Sequence, residues 1–229
     1  MEAHIIYLPK SKHSVDLANR ALKNLKETLD IDGRLFEGTD RYSVWQEYID
    51  YDLKLKINSF GVGKIDSEIA TFLSHYKLWK KCLDNSKKFL ILENDSLFTE
   101  NVNIDTLLNF NGDLLNLGLP SWKNNMIKDK NQNPAISWLD KKDGIFNRKE
   151  KNNYTDCLYG AHCYVLNPSG AKRLIDNIDN GIEPADIYLN MDRVDISDLL
   201  PHPATAFNDK SFIQRYDEVS HDKKDVWDY

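Results

Sequence analysis

The sequence predicts an α/β fold with a mainly parallel central sheet, and two observations support this prediction. Short apolar runs, which are typical of buried strands, alternate along the chain with longer stretches whose apolar residues recur at helical spacing. No internal repeat and no Pro- or Gly-rich linker divides the 229 residues. We therefore expect a single domain over residues 1–229.

The first half of the chain supplies the clearest elements. Residues 4–8 form an apolar run that predicts a buried first strand, and Ser14 is the expected N-cap of the helix that follows. Residues 34–37 predict a second strand. An amphipathic helix is expected over residues 67–84, because its apolar side chains recur every three or four positions. The run at 89–92 is the strongest strand prediction in the chain.

The second half is more polar between its elements. Strands are expected at 114–117 and within 157–166, and a helix at 168–178. Residues 121–153 are rich in Asn, Lys and Asp, which predicts a long surface loop or hairpin that serves as a lid or acceptor loop. An ordinary solvated loop is the alternative. The charged end of the chain, 217–229, is expected to be a flexible tail.

Composition excludes several classes of protein. The net charge of −6 argues against a protein that coats nucleic acid over its whole surface. Three cysteines without a CxxC pair exclude a disulfide framework or a cysteine zinc site. No apolar run is long enough to span a bilayer, and no signal peptide is recognisable, so we expect a cytoplasmic protein. Residues 121–153 nevertheless hold eight Lys/Arg against four Asp/Glu, which leaves an anionic acceptor open.

The candidate chemistry lies in the acidic triplet that follows the predicted strand at 89–92. Ligands of open α/β sheets bind beyond the carboxyl ends of strands, and side chains two residues apart in extended chain point the same way. Glu93 and Asp95 can therefore converge, with Asn94 between them. Two hard oxygen ligands suit Mg²⁺ or Mn²⁺. A solvated turn with two carboxylates is the alternative.

Several motifs, taken in order along the chain, resemble those of glycosyltransferase family 25. They are Ile5-Ile6-Tyr7-Leu8-Pro9-Lys10, the helix segment Leu73-Ser74-His75 with Glu68 and Trp79, Ile91-Leu92-Glu93-Asn94-Asp95, the block Tyr164-Val165-Leu166 with Pro168, Gly170-Ala171 and Leu174, and Pro184-Ala185-Asp186. The chain departs from the family pattern at Ser67, where a Gly is usual, at Ala70-Thr71, where Gly-Cys is usual, and at Asn94, where an acid is usual. Lys10 and Lys12 stand where relatives often have arginines.

This resemblance implies a GT-A-like, Rossmann-type domain that binds a nucleotide sugar, usually with Mn²⁺ or Mg²⁺. It implies an inverting transfer from a nucleoside diphosphate sugar, with UDP the expected nucleotide, to an acceptor hydroxyl. A glycan, as in lipopolysaccharide biosynthesis, is the first choice of acceptor, and hydroxymethylated bases of DNA are the second. A non-catalytic sugar-nucleotide-binding module is a further alternative, which the Asn94 departure keeps open.

The resemblance also implies roles for individual residues. Asp95 is the expected metal ligand, Glu93 would contact the metal, the ribose or a ligating water, and His202 or His162 could add a ligand. Asp186 is the expected catalytic base and Glu183 its competitor, although both could instead be acids that complement a helix dipole. The residues expected to line the donor site are Tyr7, Leu8, Lys10, Glu68, His75 and Glu93. For His75, a satisfied core histidine is the alternative.

Overall fold

The computed structural model describes residues 1–61, 65–118, 143–148, 156–158 and 161–206. The helices and strands follow in chain order as β1 (Glu2–Tyr7), α1 (Lys12–Leu29), β2 (Gly33–Glu37), α2 (Val44–Asp50), α3 (Ile65–Asp84), β3 (Phe89–Glu93), β4 (Ser96–Phe98), α4 (Ile104–Asn109), β5 (Leu114–Asn116), β6 (Gly144–Asn147), β7 (Cys163–Leu166), α5 (Pro168–Asp176), α6 (Ala185–Tyr188), β8 (Ile196–Leu200) and β9 (Ala204–Ala206).

Seven strands form the central sheet in the order β2-β1-β3-β7-β5-β8-β6. β1 pairs in parallel with β2 and β3, and β5 pairs in parallel with β8, whereas β7 and β6 are antiparallel to their neighbours. Five strands therefore run in one direction, which confirms the predicted α/β class with a mainly parallel sheet. β4 and β9 form a separate antiparallel pair. The last residues of β1, β3, β5 and β8 lie at one edge of the central sheet, which we call the carboxyl edge.

Two apolar layers hold the sheet, because successive residues of a strand face opposite sides. Phe89 and Ile91 of β3 pack in a cluster with residues of α3, α5 and α6. Leu90 and Leu92 pack on the other side with residues of α1 and α4. Trp79 of α3 is fully buried. Burial of one such large apolar side chain contributes about 1.5–3 kcal/mol, so the two layers fix the sheet and its carboxyl edge.

The first helix begins earlier than the sequence predicts. Ser11, and not Ser14, is the N-cap, since the Ser11 side chain accepts a hydrogen bond from the backbone N–H of Ser14. An N-cap hydroxyl bonds the amide two or three positions along, which places Ser14 in the first turn. Ser14 is itself buried, and its Oγ accepts a hydrogen bond from the Leu8 N–H at 2.9 Å.

Two strands of the sheet fall where the sequence pattern gave no strand. β6 lies inside the stretch 121–153, where the sequence predicts a surface loop or hairpin without locating a strand, and it pairs with β8 as the outer strand of the sheet. All five residues of β8 are buried, although the strand contains Ser197 and Asp198. The parts of the predicted loop at 121–142 and 149–153, and the predicted tail at 217–229, lie outside the described residues. Within the described chain, none of the helices has the length and apolar character needed to cross a membrane.

Candidate active site

Three acidic side chains interact electrostatically at the carboxyl edge. Glu93 is the last residue of β3, Asp186 lies in the first turn of α6, and Glu68 lies in the first turn of α3. Partial burial, reinforced by the negative charges of Glu93 and Glu68, raises the pKa of Asp186 to about 6. The side chain of Glu68 accepts a hydrogen bond from the Gly61 N–H at 2.9 Å. The fold thus gathers carboxylates from three elements that are distant in sequence.

Glu93 is fixed from two directions. Its backbone N–H donates to the His162 carbonyl at 2.8 Å, and its Oε1 lies 3.3 Å from Nε2 of the buried His75. The side chain is still 34% exposed. Burial opposes the charged form of Glu93, but the hydrogen bond from His75 and the electrostatic interactions with His75 and His162 outweigh it and lower the pKa below its ordinary value. Glu93 is therefore an ionised carboxylate with one oxygen held and its side chain partly open to solvent.

Asp95 lies in surroundings that disfavour its ionised form. Burial and the negative charge of Glu93 raise the pKa of Asp95 to about 7, and Arg20 offsets only part of this. The Asp95 Oδ1 atom is buried and has no hydrogen-bond partner among the residues that the structure describes. Asn94 is tied elsewhere, since its Nδ2 donates to Ser14 Oγ of α1 at 2.5 Å. The structure therefore brings the charges of Glu93 and Asp95 together and holds the middle side chain against α1.

The Glu93–Asp95 pair fits a hard divalent cation in its donor chemistry. Both side chains offer carboxylate oxygens, and a cation would satisfy the buried Asp95 Oδ1 that lacks a partner in the described chain. Mg²⁺ is usually bound through one or two carboxylates together with substrate phosphates. Across the described ranges, no group of three His, Cys, Asp or Glu residues could hold a metal by itself. The protein thus offers two ligands here, and a bound diphosphate would have to supply others.

The two further histidines considered as metal ligands have other contacts. His202 Nε2 lies 3.3 Å from Asp198 Oδ1 and 3.2 Å from the Asn116 amide. The backbone carbonyl of His162 accepts the Glu93 N–H, and its ring lies against Gly118, where a Cβ would come within 2.8 Å of ring atoms. The structure does not bring His202 into a three-residue set with Glu93 and Asp95.

A buried ion pair that the sequence did not suggest lies across β6 and β8. Arg148 binds Asp198 through two hydrogen bonds of 2.7 and 2.8 Å and donates to the Cys157 carbonyl at 2.9 Å. Asn116 Nδ2 donates to the same carboxylate at 2.8 Å. Burial opposes the charged form of Asp198, but the hydrogen bonds and electrostatic interactions with Arg148 and His202 hold its pKa far below the ordinary value. The sequence signal for this pair was weak, since Asp198 is one of two acids in the stretch 194–200 and local periodicity does not explain it.

Glu183 differs from Asp186 although the two are close in sequence. Its Oε2 forms an ion pair with Arg193 and lies 3.4 Å from Lys56 Nζ, and its Oε1 accepts from Ser59 Oγ at 3.1 Å. Burial opposes the charged form, yet the cationic partners, Arg193 first, lower the pKa of Glu183. The Glu183 carboxylate is therefore ionised and paired with two cations, and it links the Lys56–Ser59 turn to the segment before β8.

The residues expected at the start of the donor site lie in the turn after β1. Tyr7 ends β1, and its carbonyl accepts the Gly38 N–H at 2.8 Å. The exposed Lys10 Nζ is 2.9 Å from Asp40 Oδ2 and 5.7 Å from the centre of the Tyr42 ring. This turn is joined to the acidic triplet, because the Leu8 N–H and the Asn94 amide donate to the same Ser14 Oγ atom.

The fold and the site together define a class of protein. A mainly parallel α/β sheet whose carboxyl edge carries an ionised carboxylate and carboxyl groups of raised pKa is typical of an enzyme with its ligand site at that edge. Sequence comparison makes the class specific. The profile of glycosyltransferase family 25, described as a lipopolysaccharide biosynthesis family, matches residues 8–189. The chain belongs to glycosyltransferase family 25 and is a nucleotide-sugar-dependent glycosyltransferase.

The chain was also compared with curated proteins and with solved structures. No curated protein matches the chain significantly. Among solved structures, the chain is similar to the galactosyltransferase LgtC in complex with donor and acceptor sugar analogs, with 9% sequence identity and a TM-score of 0.47 over 96% of this chain and 95% of that one.

Proposed function

We propose that this chain transfers a sugar, with inversion, from a UDP-linked donor to a hydroxyl group of a glycan, and that Asp186 is the catalytic base. The observation that supports this most is the position of Asp186 beside Glu93 with a pKa of about 6. A general base works best when its pKa lies near the working pH. Asp186 would be mostly ionised at neutral pH and still a stronger base than an ordinary aspartate.

The contrast with Glu183 supports the choice of base. A carboxylate that is paired with Arg193 and Lys56 is a weaker base, and binding a proton would cost it those two ion pairs. The carboxylate of Asp186 has no cationic partner in the described part of the chain, and its neighbours Glu93 and Glu68 favour its protonation. Asp186 is therefore the better acceptor of a proton from a sugar hydroxyl.

The proposed chemistry is a single displacement. The acceptor oxygen attacks the anomeric carbon as its proton passes to the Asp186 carboxylate, and the bond to the diphosphate breaks on the opposite face, which inverts the anomeric configuration. Protonated Asp186 then releases its proton to solvent. Glu93 and Asp95 would hold a divalent cation, which supplies positive charge for the diphosphate leaving group. The turn after β1, with Lys10, would bind the nucleotide end of the donor.

The acceptor is proposed from the family description alone. Glycosyltransferase family 25 is described by lipopolysaccharide biosynthesis, so a hydroxyl of a lipopolysaccharide-type glycan is our first choice. A hydroxymethylated DNA acceptor would require affinity for the duplex that falls steeply with added salt, and this dependence can be measured directly.

The test combines donor binding with transfer. We expect a UDP-sugar with Mn²⁺ to raise the melting temperature, because a ligand that binds only the folded state stabilises it. Asp186→Asn should keep this thermal shift while transfer falls by about 10²- to 10⁴-fold, the usual contribution of general base catalysis. Glu183→Gln should lower the melting temperature and change kcat much less.

Two outcomes would contradict the proposal. Full activity of Asp186→Asn would exclude this residue as the base. A thermal shift by UDP-sugars without donor hydrolysis or transfer in any acceptor screen would instead indicate a non-catalytic binding module.

A further inference from the structure

A chain of hydrogen bonds leads from the core of the protein to the Glu93 carboxylate. Trp79 Nε1 lies 2.9 Å from the Tyr164 hydroxyl, and the same hydroxyl lies 2.8 Å from His75 Nδ1. His75 Nε2 then lies 3.3 Å from Glu93 Oε1. Trp79, Tyr164 and His75 are each fully buried, whereas Glu93 is partly exposed at the carboxyl edge. The chain therefore connects a rigid aromatic cluster to the candidate site.

The chemistry of the groups fixes the direction of every hydrogen bond. The indole N–H of Trp79 can only donate, so the Tyr164 oxygen accepts from it. Tyr164 has no other acceptor for its own O–H among the described residues, so this proton goes to His75 Nδ1. His75 must then carry its proton on Nε2 and donate it to Glu93. The reverse tautomer would place a nitrogen lone pair against an ionised carboxylate.

We infer that His75 is a positioning residue for the transfer reaction: Trp79 and Tyr164 fix its ring so that Nε2–H faces Glu93, and it holds Glu93 Oε1 so that the second oxygen is directed to the donor site. This inference rests on the proposed function of Glu93. It differs from a direct contact between His75 and the donor, because both ring nitrogens are already engaged. Outer partners that orient a ligating side chain are commonly needed for its full effect.

The packing around His75 supports a positioning role. The rings of His75 and Tyr164 are stacked with their centres 5.7 Å apart, and Trp79 lies on the other side of the hydroxyl. Both side chains sit in the middle of secondary structure, on α3 and β7, which leaves the imidazole little freedom to turn. The hydrogen bond from Nε2 ends on a carboxylate that is partly exposed at the carboxyl edge, which is where a positioning residue must act.

The first test reads the tautomer without substrate. ¹⁵N spectra of histidine-labelled protein distinguish a protonated from an unprotonated ring nitrogen, and the resonances that disappear in His75→Gln identify His75. We expect an unprotonated Nδ1 and a protonated Nε2 in the wild-type protein. A protonated Nδ1, as the other tautomer or as imidazolium, would overturn the inference whatever the enzyme activity.

The second test uses a matched pair of tyrosine variants. Tyr164→Phe removes the hydroxyl that fixes His75, whereas Tyr188→Phe removes an equally buried hydroxyl that donates to the Leu174 carbonyl at 2.8 Å. We expect both to lower the melting temperature, but only Tyr164→Phe to lower kcat and Mn²⁺ affinity, by about 10- to 100-fold. Equal kinetic effects of the two variants would contradict a positioning role while leaving the proposed function intact.

Variants of His75 itself separate positioning from packing. The side chain of Gln can still donate to Glu93, whereas Leu fills the space without any donor. We expect His75→Gln to recover part of the activity lost in His75→Leu. If the wild-type protein transfers no sugar in the presence of Mn²⁺, the proposed function fails, and the role of His75 in transfer fails with it. The tautomer measurement would still decide the direction of the hydrogen-bond chain.

Discussion

Replacing Asp95 with Asn should stabilise the protein in the absence of metal, and the gain should depend on pH. The pKa of Asp95 is raised from 3.8 to about 7, first by burial and then by the negative charge of Glu93. A shift of three pH units corresponds to about 4 kcal/mol of unfavourable free energy for the ionised carboxylate in the folded state. This value is the upper limit of the pH-dependent gain from removing the charge.

The sign of the pH dependence follows from proton binding. Between pH 4 and pH 7 the folded state keeps a proton on Asp95 that the unfolded chain has released, so the free energy of unfolding falls as pH rises through this window. Asp95→Asn cannot titrate and removes that fall. The stability difference between variant and wild type should therefore grow from pH 4 to pH 7 and stay constant above it. The new amide, in a partly buried position, can cost about 1–3 kcal/mol at every pH, which leaves the slope unaffected.

Urea unfolding at pH 4.5, 6, 7 and 8.5, with EDTA present, measures this difference. Asp84→Asn is the matched control for the loss of one negative charge, because Asp84 is an exposed acid at the end of α3. A stability difference for Asp95→Asn that does not increase with pH would refute the reasoning. Added Mn²⁺ should reverse the order, stabilising the wild-type protein and not the variant.

Three further predictions concern contacts that hold the site in place. Asp198→Asn should lower the free energy of unfolding by about 3–5 kcal/mol, because it leaves Arg148 as a buried charge without its carboxylate. The double variant with Arg148→Met should recover much of that loss in the same urea titration. Asn94→Leu should cost about 1–3 kcal/mol in thermal or chemical unfolding, since it removes the amide donor to Ser14, and Asn94→Asp should cost less because Ser14 can donate to the carboxylate. Gly170→Ala should destabilise the fold despite the higher helix propensity of Ala, as its Cβ would lie 2.6 Å from a backbone carbonyl just before β5; unchanged or increased stability would contradict this.

Local patterns in the sequence were sufficient for most of the fold. The strand β3 could be predicted because it is a continuous apolar run, and the helix α3 because its apolar residues recur with a period of about 3.6. β8 could not, since a buried Asp198 interrupts its apolar run and only the cross-sheet contact with Arg148 explains that acid. The position of β6 could not be predicted either. It is a strand of only four residues at the border of the sheet, and its partly buried residues alternate with exposed ones, so its apolar signal is weak.

The candidate site, too, could be predicted only in part from the sequence. The sequence placed Glu93 and Asp95 after a buried strand, and a family resemblance drew attention to His75 and Asp186. It made Asp186 the expected base and Glu183 its competitor, and the tertiary structure separates them, since Glu183 has a cationic partner in Arg193 whereas the charges of Glu93 and Glu68 act on Asp186. The pKa of each carboxylate thus depends on residues that are remote in the chain.

By itself, the sequence determined the class of fold, the family and the identity of the acids at the end of β3, because these depend on local periodicity and on short motifs. Only the tertiary structure decided which carboxylates are paired with cations, which have a raised pKa and which nitrogen of His75 faces Glu93. Burial and through-space charge set these properties, and both arise when strands and helices that are tens of residues apart pack at one edge of the sheet.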